Sequence, residues 1–202
     1  MKPENSAWTT LDESFTYVWG LLGRATADRK HPFRTPGLAT LGTEGPRVRT
    51  VVLREVDRRN YSMYVHTDTR SDKVKEIQAN PHISWLFWDP REKLQVRLSG
   101  KAQCLTDHRL SHSIWEKASL NYRKSYSPQL PPGTETESLQ TGVETYAREG
   151  ATWEESESWQ DNFTVIVCEV EQVEWLLLHP AGHRRAKFNK TEEAWEGRWL
   201  VP

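Results

Sequence analysis

Cysteine is almost missing from this chain of 202 residues, which has only Cys104 and Cys168, far apart and each set in an apolar, strand-like run. Buried free thiols are expected from that pattern rather than a disulfide or a metal pair, and no CxxC or HExxH spacing supplies a zinc site. No stretch reaches the roughly 18 consecutive apolar residues that a membrane-spanning helix needs. Neither sign of charge is in surplus, since 27 Lys and Arg face 28 Asp and Glu for a formal net charge of -1. A general nucleic-acid binder would carry its positive excess on one face, so that class is set aside. Met1 to Asn5 are polar and charged instead of forming a secretory core, and a soluble, cytoplasmic chain without a membrane partner is expected. No internal repeat and no Gly/Ser linker divide the sequence, so one domain over residues 1–202 is expected.

Aromatic residues, by contrast, are plentiful. Ten tryptophans are present, and Trp85, Trp88, Trp175, Trp195 and Trp199 fall in strand patterns. Large amphipathic rings suit buried cores and interfaces between subunits; for Trp175, stacking on a planar ligand is the sharper alternative.

Periodicity divides the chain into elements. Thr10-Leu11-Asp12-Glu13 matches a capping box, and Leu11, Phe15, Val18, Trp19 and Leu22 recur at helical spacing, which predicts a helix to about Ala25. A hairpin follows, with Gly37 to Thr43 and Val48 to Val56 as strands around a turn at Glu44-Gly45-Pro46, and Tyr61 to Thr67 returns. Ser71 to Ala79 reads as a short helix with Ser71 as its N-cap and Asn80-Pro81 as its stop. His82 to Trp88 and Leu94 to Leu105 form another hairpin, and Thr106-Asp107 opens a helical stretch. Residues 123–160 are rich in Pro, Gly, Ser, Thr and Glu and poor in aliphatics, so a long loop or partly disordered excursion is expected there, either a lid or interface arm or a solvated insertion. Strand patterns resume over Asn162 to Val173, Glu174 to Leu178, Arg184 to Phe188 and Trp195 to Val201. The hairpins and the crossover helix predict a closed or nearly closed antiparallel barrel, mainly β with flanking helices.

Chemistry is concentrated between Pro46 and Lys101. Arg49 and Arg54 bracket an apolar strand centre; a five-residue spacing in an extended strand separates them by about 16 Å and sends them to opposite faces. The run His66 to Lys73 passes from a strand end through a turn into a helix start, where backbone N–H groups, the Thr67 and Ser71 hydroxyls and the Lys73 ammonium are all donors for an anion. Ordinary helix capping is the plain alternative for that segment, but Arg49 in the neighbouring hairpin adds a second cation to the same place. None of the seven histidines has metal-ligand spacing.

The order RTVVLR, a strand ending in HT, SDK opening a helix, then NP and LQVRLSGKA resembles the pyridoxamine 5'-phosphate oxidase superfamily of FMN-binding split barrels. The resemblance covers about Gly37 to Leu105, and WLLLHPAGHRRAKF and WEGRWLVP extend it to the C-terminal part. It implies a six-stranded antiparallel split β-barrel of FMN-binding type and a homodimer with FMN in the subunit interface. It also implies that Arg49 holds the FMN phosphate, that Thr50, Val51 and Val52 lie along the flavin, and that His66 and Thr67 end the next strand at the cofactor. Ser71 and Lys73 correspond to the phosphate-binding turn, Gln95 to a glutamine beside the flavin, and Trp175 and Lys187 to C-terminal cofactor contacts. Arg54 falls where the oxidase has a lysine on its substrate's phosphate, and His183 and Arg185 stand where it has an arginine and a histidine. One departure is Asp72, which replaces a cation of the phosphate turn with a carboxylate, so that phosphate affinity either falls or is met by Arg70 instead. These differences bring the chain nearer to an oxidase-like subfamily of unknown substrate whose members end in a similar W-L-x-P. The implied activity is an FMN-dependent oxidase or reductase of a small organic substrate, the alternative being a flavin or haem binding module with little turnover.

Overall fold

The computed structural model describes residues 8–106, 108–139 and 150–202. Helix α1 runs from Leu11 to Ala27, two residues past the expected end, and Thr10 caps it by accepting a hydrogen bond from the Glu13 backbone at 3.3 Å. Val18, Trp19, Leu21, Leu22 and Ala25 form its buried stripe. Strands β1 (Gly37–Gly42) and β2 (Gly45–Thr50) make the first hairpin. Its turn is Thr43-Glu44 rather than Glu44-Gly45-Pro46, because Gly42 pairs with Gly45, whose φ of 131° is open to glycine but strained for other residues. Then come β3 (Glu55–Asp57), β4 (Ser62–Asp68), helix α2 (Asp72–Ala79), β5 (His82–Asp89) and β6 (Leu94–Leu105). Helices α3 (Arg109–Lys117), α4 (Leu120–Arg123) and α5 (Trp153–Glu157) precede β7 (Phe163–Leu177), β8 (Arg184–Lys190) and β9 (Trp195–Leu200).

The sheet is antiparallel, as expected, but among the described residues it has nine strands in place of six, in the order β2-β1-β5-β6-β7-β4-β3 with β8 on β7 and β9 on β8. The expected single strand Val48 to Val56 is divided because the chain changes partner midway. Val51 and Leu53 donate backbone hydrogen bonds to Pro36 and Arg34, then Arg54 donates to Tyr64, so residues 51–54 carry the chain from one end of the sheet order to the other. That crossing closes the barrel, and Leu53 is fully buried at its centre. The two strands expected after Asn162 are one strand of 15 residues, β7, whose first half pairs with β4 and whose second half pairs with β8 while β6 runs along its other edge.

The β6–β7 register slips between Ser99 and Gly100, where Glu171 of β7 is the extra, unpaired residue of a bulge. Gly100 is there because a Cβ at this position would sit 1.9 Å from the Glu169 carbonyl oxygen. The main core fills the barrel with Leu38, Trp85, Phe87, Val96, Leu98 and Met63 among others. Both cysteines are free, and burial pushes the thiols up, Cys104 to about 11 and Cys168 to about 12. Among the described residues no helix is long and apolar enough to cross a membrane.

The segment expected as a loop over 123–160 is structured at both flanks, and its residues 140–149 lie outside the described residues. A second core forms there from Trp115, Tyr126, Ala151, Trp159, Phe163 and Val165. Arg123, only 3% exposed, joins the flanks: its guanidinium donates to the Ser156 hydroxyl, the Glu157 carboxylate and the Trp115 carbonyl, between the rings of Trp115 and Trp153. Aliphatic content was the wrong measure here, since aromatic rings and a stacked guanidinium do the packing. Gly100→Ala should cost about 3 kcal/mol, the upper end for overpacking, because backbone atoms must move; urea denaturation measures it.

Candidate functional site

Alternation along β1 and β2 places Thr40, Arg47 and Arg49 toward α2, where they meet Glu76. The Arg49 guanidinium donates through Nη2 to Glu76 Oε2 at 2.7 Å and through Nη1 to the Thr40 hydroxyl and the Arg47 carbonyl. Thr40 in turn donates to the same Glu76 oxygen. Burial pushes the Glu76 carboxyl up, but the Thr40 hydroxyl and the charges of Arg49 and Arg47 outweigh it and hold it below the usual range. A guanidinium has five N–H donors; among the described residues Nε of Arg49 has no acceptor.

Lys73 reaches the same corner from the first turn of α2. Its ammonium donates to the Thr67 hydroxyl at 3.0 Å and to no other described residue. Burial, then the nearby charge of Arg49, lowers its pKa against the opposing pull of Asp68, Glu76 and Asp72. Ser71 precedes the helix as expected, yet its hydroxyl turns back to the Asp68 carbonyl at 2.7 Å and caps nothing. The backbone N–H groups of Asp72 and Lys73 therefore keep no acceptor among the described residues. Spare donors on two cations and a helix start fit the phosphate end of FMN. Arg70 does not substitute for the missing cation. Asp68 accepts from its Nε and Nη2, the Pro128 carbonyl accepts the second Nη2 hydrogen, and the Gln129 carbonyl accepts from Nη1, so four of its five donors are committed. Asp72 itself is exposed and lies 3.9 Å from Lys75.

His66 and Thr67, adjacent in sequence, face opposite sides of β4. Thr67 joins Lys73, whereas His66 points to the second core, where its Nδ1 lies 2.6 Å from the Tyr122 hydroxyl, itself 3.2 Å from that of Tyr126. Arg54 joins this second cluster, its guanidinium carbon 5.0 Å from the centre of the Tyr122 ring. Its Nε is buried without a partner, and no described carboxylate pairs with it. Burial and the Arg54 charge push the His66 pKa down to about 4, so the ring is neutral at pH 7.

The remaining candidates lie elsewhere. Thr50 aligns across the outer face of the sheet with Gly37, Leu86, Arg97, Glu174 and Lys187, and Gln95 aligns with Trp88, Leu176 and Arg185. Arg185 is held by Glu174 through Nε at 3.1 Å and Nη2 at 2.8 Å. His183 accepts from the His179 backbone in an exposed turn. Trp175 is fully buried against Trp8 and Trp199 with its indole N–H on Ser14, so it is a core residue rather than a stacking surface. Val51 packs against the core and Val52 is 36% exposed.

Thr40, Glu76, Tyr122 and Tyr126 belong to these clusters and were not singled out from the sequence. Glu76, three residues after Lys73 on one helix face and beside the buried Ile77, had a legible signal: a carboxylate in an apolar stripe needs a cation. The tyrosines follow a composition shift and gave none. The His66 shift has a pH consequence. An unfolded chain takes up a proton near 6.5 and the folded one near 4, so stability present above pH 6.5 is lost as pH falls toward 4. The wild type should lose up to about 3 kcal/mol more than His66→Gln between those limits, read by urea denaturation at each pH.

Residues 17–106 match the family model described as pyridoxamine 5'-phosphate oxidase, FMN-binding domain. The pyridoxine/pyridoxamine 5'-phosphate oxidase of Xylella fastidiosa strain Temecula1 is 43% identical over 70 residues, 33% of each chain. That of Anaeromyxobacter dehalogenans is 32% identical over 87 residues, 43% of each. The chain thus spans about a third of the length of the first curated relatives it matches. Two solved structures share the fold over nearly the whole chain. A pyridoxamine 5'-phosphate oxidase-related, FMN-binding protein of Nostoc punctiforme superposes with a TM-score of 0.73 at 21% identity, covering 93% of this chain and 96% of its own. PhzG of Burkholderia lata, solved with tetrahydrophenazine-1-carboxylic acid, gives 0.72 at 18% identity, covering 98% and 96%. Residues 17–106 are thus similar to the FMN-binding domain of pyridoxamine 5'-phosphate oxidase, and nearly the whole chain shares the fold of these FMN-binding proteins.

Proposed function

We propose that this chain is an FMN-dependent oxidoreductase of a small organic substrate that carries an anionic group, working as a homodimer. The observation that carries the reading is the pair Arg49 and Lys73, brought to one corner with donors that the described protein atoms leave unused. Arg49, Lys73, Thr67 and the start of α2 hold the phosphate, Ser71 shapes the turn through its bonds to the Asp68 carbonyl, and Thr50, Val51 and Val52 follow along the strand that leaves it. Bound flavin supplies hydride or electron transfer, chemistry that no side chain here provides. Arg54, a cation without a carboxylate partner beside the Tyr122 ring, holds the substrate's anionic group. Neutral His66 adds no charge to that pocket and keeps Tyr122 oriented through its hydrogen bond.

Association of two copies answers a second observation. The outer sheet face exposes Val48 (70%), Leu86 (47%) and Trp88 (44%), with a groove of about 370 Å³ among Gly37, Ala39, Val48, Leu86, Arg97 and Gln172. Apolar surface of this kind on a strand face is covered in a stable protein. Gln95, Arg185 and Lys187 lie on that face, so a second copy docked there brings them toward the cofactor of its partner, which one chain alone does not do. His183 stands at its rim.

Two substitutions divide the roles. Arg49→Ala should weaken FMN binding by at least tenfold, as expected for a charged hydrogen bond. Arg54→Ala should keep the yellow colour and abolish bleaching of the flavin by the phosphorylated or carboxylated donors that bleach the wild type. Flavin retained by Arg49→Ala on gel filtration, or lost by Arg54→Ala, refutes this division. For the dimer, Leu86→Asp should yield a monomer with impaired flavin retention, read by light scattering with absorbance; an unaltered dimer excludes this face.

A further inference from the structure

Glu76 is an ionised carboxylate, 9% exposed, within the corner assigned to an anionic phosphate, and its effect there has to be decided. It could compete with the phosphate for Arg49 or hold Arg49 ready for it. The bonding pattern decides between them. Thr40 Oγ1 accepts from Nη1 of Arg49 and donates to Glu76 Oε2, and that same oxygen accepts from Nη2. These three bonds form a closed ring across the end of the guanidinium that lies between Nη1 and Nη2. Nη1 also donates to the Arg47 carbonyl at 3.3 Å, so both its hydrogens are used. The unused donors are then Nε and the second hydrogen of Nη2, which share the side edge of the planar fork. That edge is the one suited to two parallel bonds with a phosphate.

We infer that Glu76, together with Thr40, is a positioning residue for the cofactor phosphate: it fixes the end of the Arg49 guanidinium and so presents the side edge to the anion. The inference rests on the phosphate reading of this corner. An unrestrained arginine loses rotamer freedom when it is immobilised. Here that freedom is already lost before the ligand arrives, because Glu76 sits on a helix anchored by Val74 and Ile77 in the core. The charged groups facing Glu76 are Arg49 and Arg47 from β2 and Lys73 from its own helix, so the carboxylate stays ionised and bound to its cations.

The test compares FMN with riboflavin, which lacks the phosphate, in equilibrium titrations of the full-length protein followed by flavin fluorescence. Glu76→Ala should weaken FMN by about tenfold and leave riboflavin unchanged. Glu76→Gln, which keeps an acceptor for Nη2, should hold FMN affinity within about threefold of wild type. Thr40→Val, isosteric at a buried position, should also weaken FMN alone and serves if Glu76→Ala fails to fold. Tighter FMN binding by both Glu76 variants would make the carboxylate a competitor and overturn the inference. So would equal weakening of FMN and riboflavin, the mark of a general structural role. Arg49→Ala is the companion measurement: if it leaves the FMN-to-riboflavin ratio unchanged, the phosphate reading itself fails and the inference with it, whereas a collapsed ratio beside an inert Glu76→Ala sinks the positioning role only.

Discussion

Side chains alternate along a strand, and in a closed barrel each face of the strand meets a different environment. Everything at this site follows from that constraint. Arg49 shares its face with the partner-strand residue Thr40 and comes to α2, while Thr50 turns outward to the line that ends at Lys187. Thr67 reaches Lys73 and its neighbour His66 reaches Tyr122. Two residues that read as one motif along the chain are thus parts of two sites, one rich in unused donors and one built around a neutral imidazole beside a lone arginine.

Closure fixes these faces in space. The chain between β2 and β3 makes hydrogen bonds to the Arg34–Pro36 segment on one side and to Tyr64 on the other, with Leu53 buried between. Arg49 stands at the start of that crossing and Arg54 at its end, which is why they meet different groups although they lie in one apolar run. A partly buried guanidinium at each end of this crossing needs a partner, and of the two Arg49 alone meets a described carboxylate.

Much of the fold was legible because the hydrophobic period is clear: α1, β4, α2 and the β5–β6 hairpin fall within a residue or two of expectation. The donor corner was legible too, since Arg49, Thr67 and Lys73 are polar residues at strand and helix ends. The break in the run from Val48 to Val56 was not, because a strand that changes partner keeps the same apolar pattern on both sides of the change. Nor was the second core. Its members Trp115, Tyr126, Trp159 and Phe163 are spread over nearly fifty residues, and only the folded chain brings them together, with Arg123 over Trp115. Glu76 is legible only as an acid between the apolar Val74 and Ile77; which cations meet it depends on the strand opposite.

Strand β7 has three neighbours, and they do not overlap along one of its edges: β4 covers residues 163–169 and β8 covers residues 172–177. The β8–β9 hairpin accordingly hangs from the second half alone, with α1 lying against β9. It can peel away as a unit while the barrel wall formed by β4, β6 and the first half of β7 stays zipped. Amide exchange is expected to divide into two blocks, with the seam at Val170–Glu171, where neither β4 nor β8 pairs with β7 and the β6 ladder is interrupted.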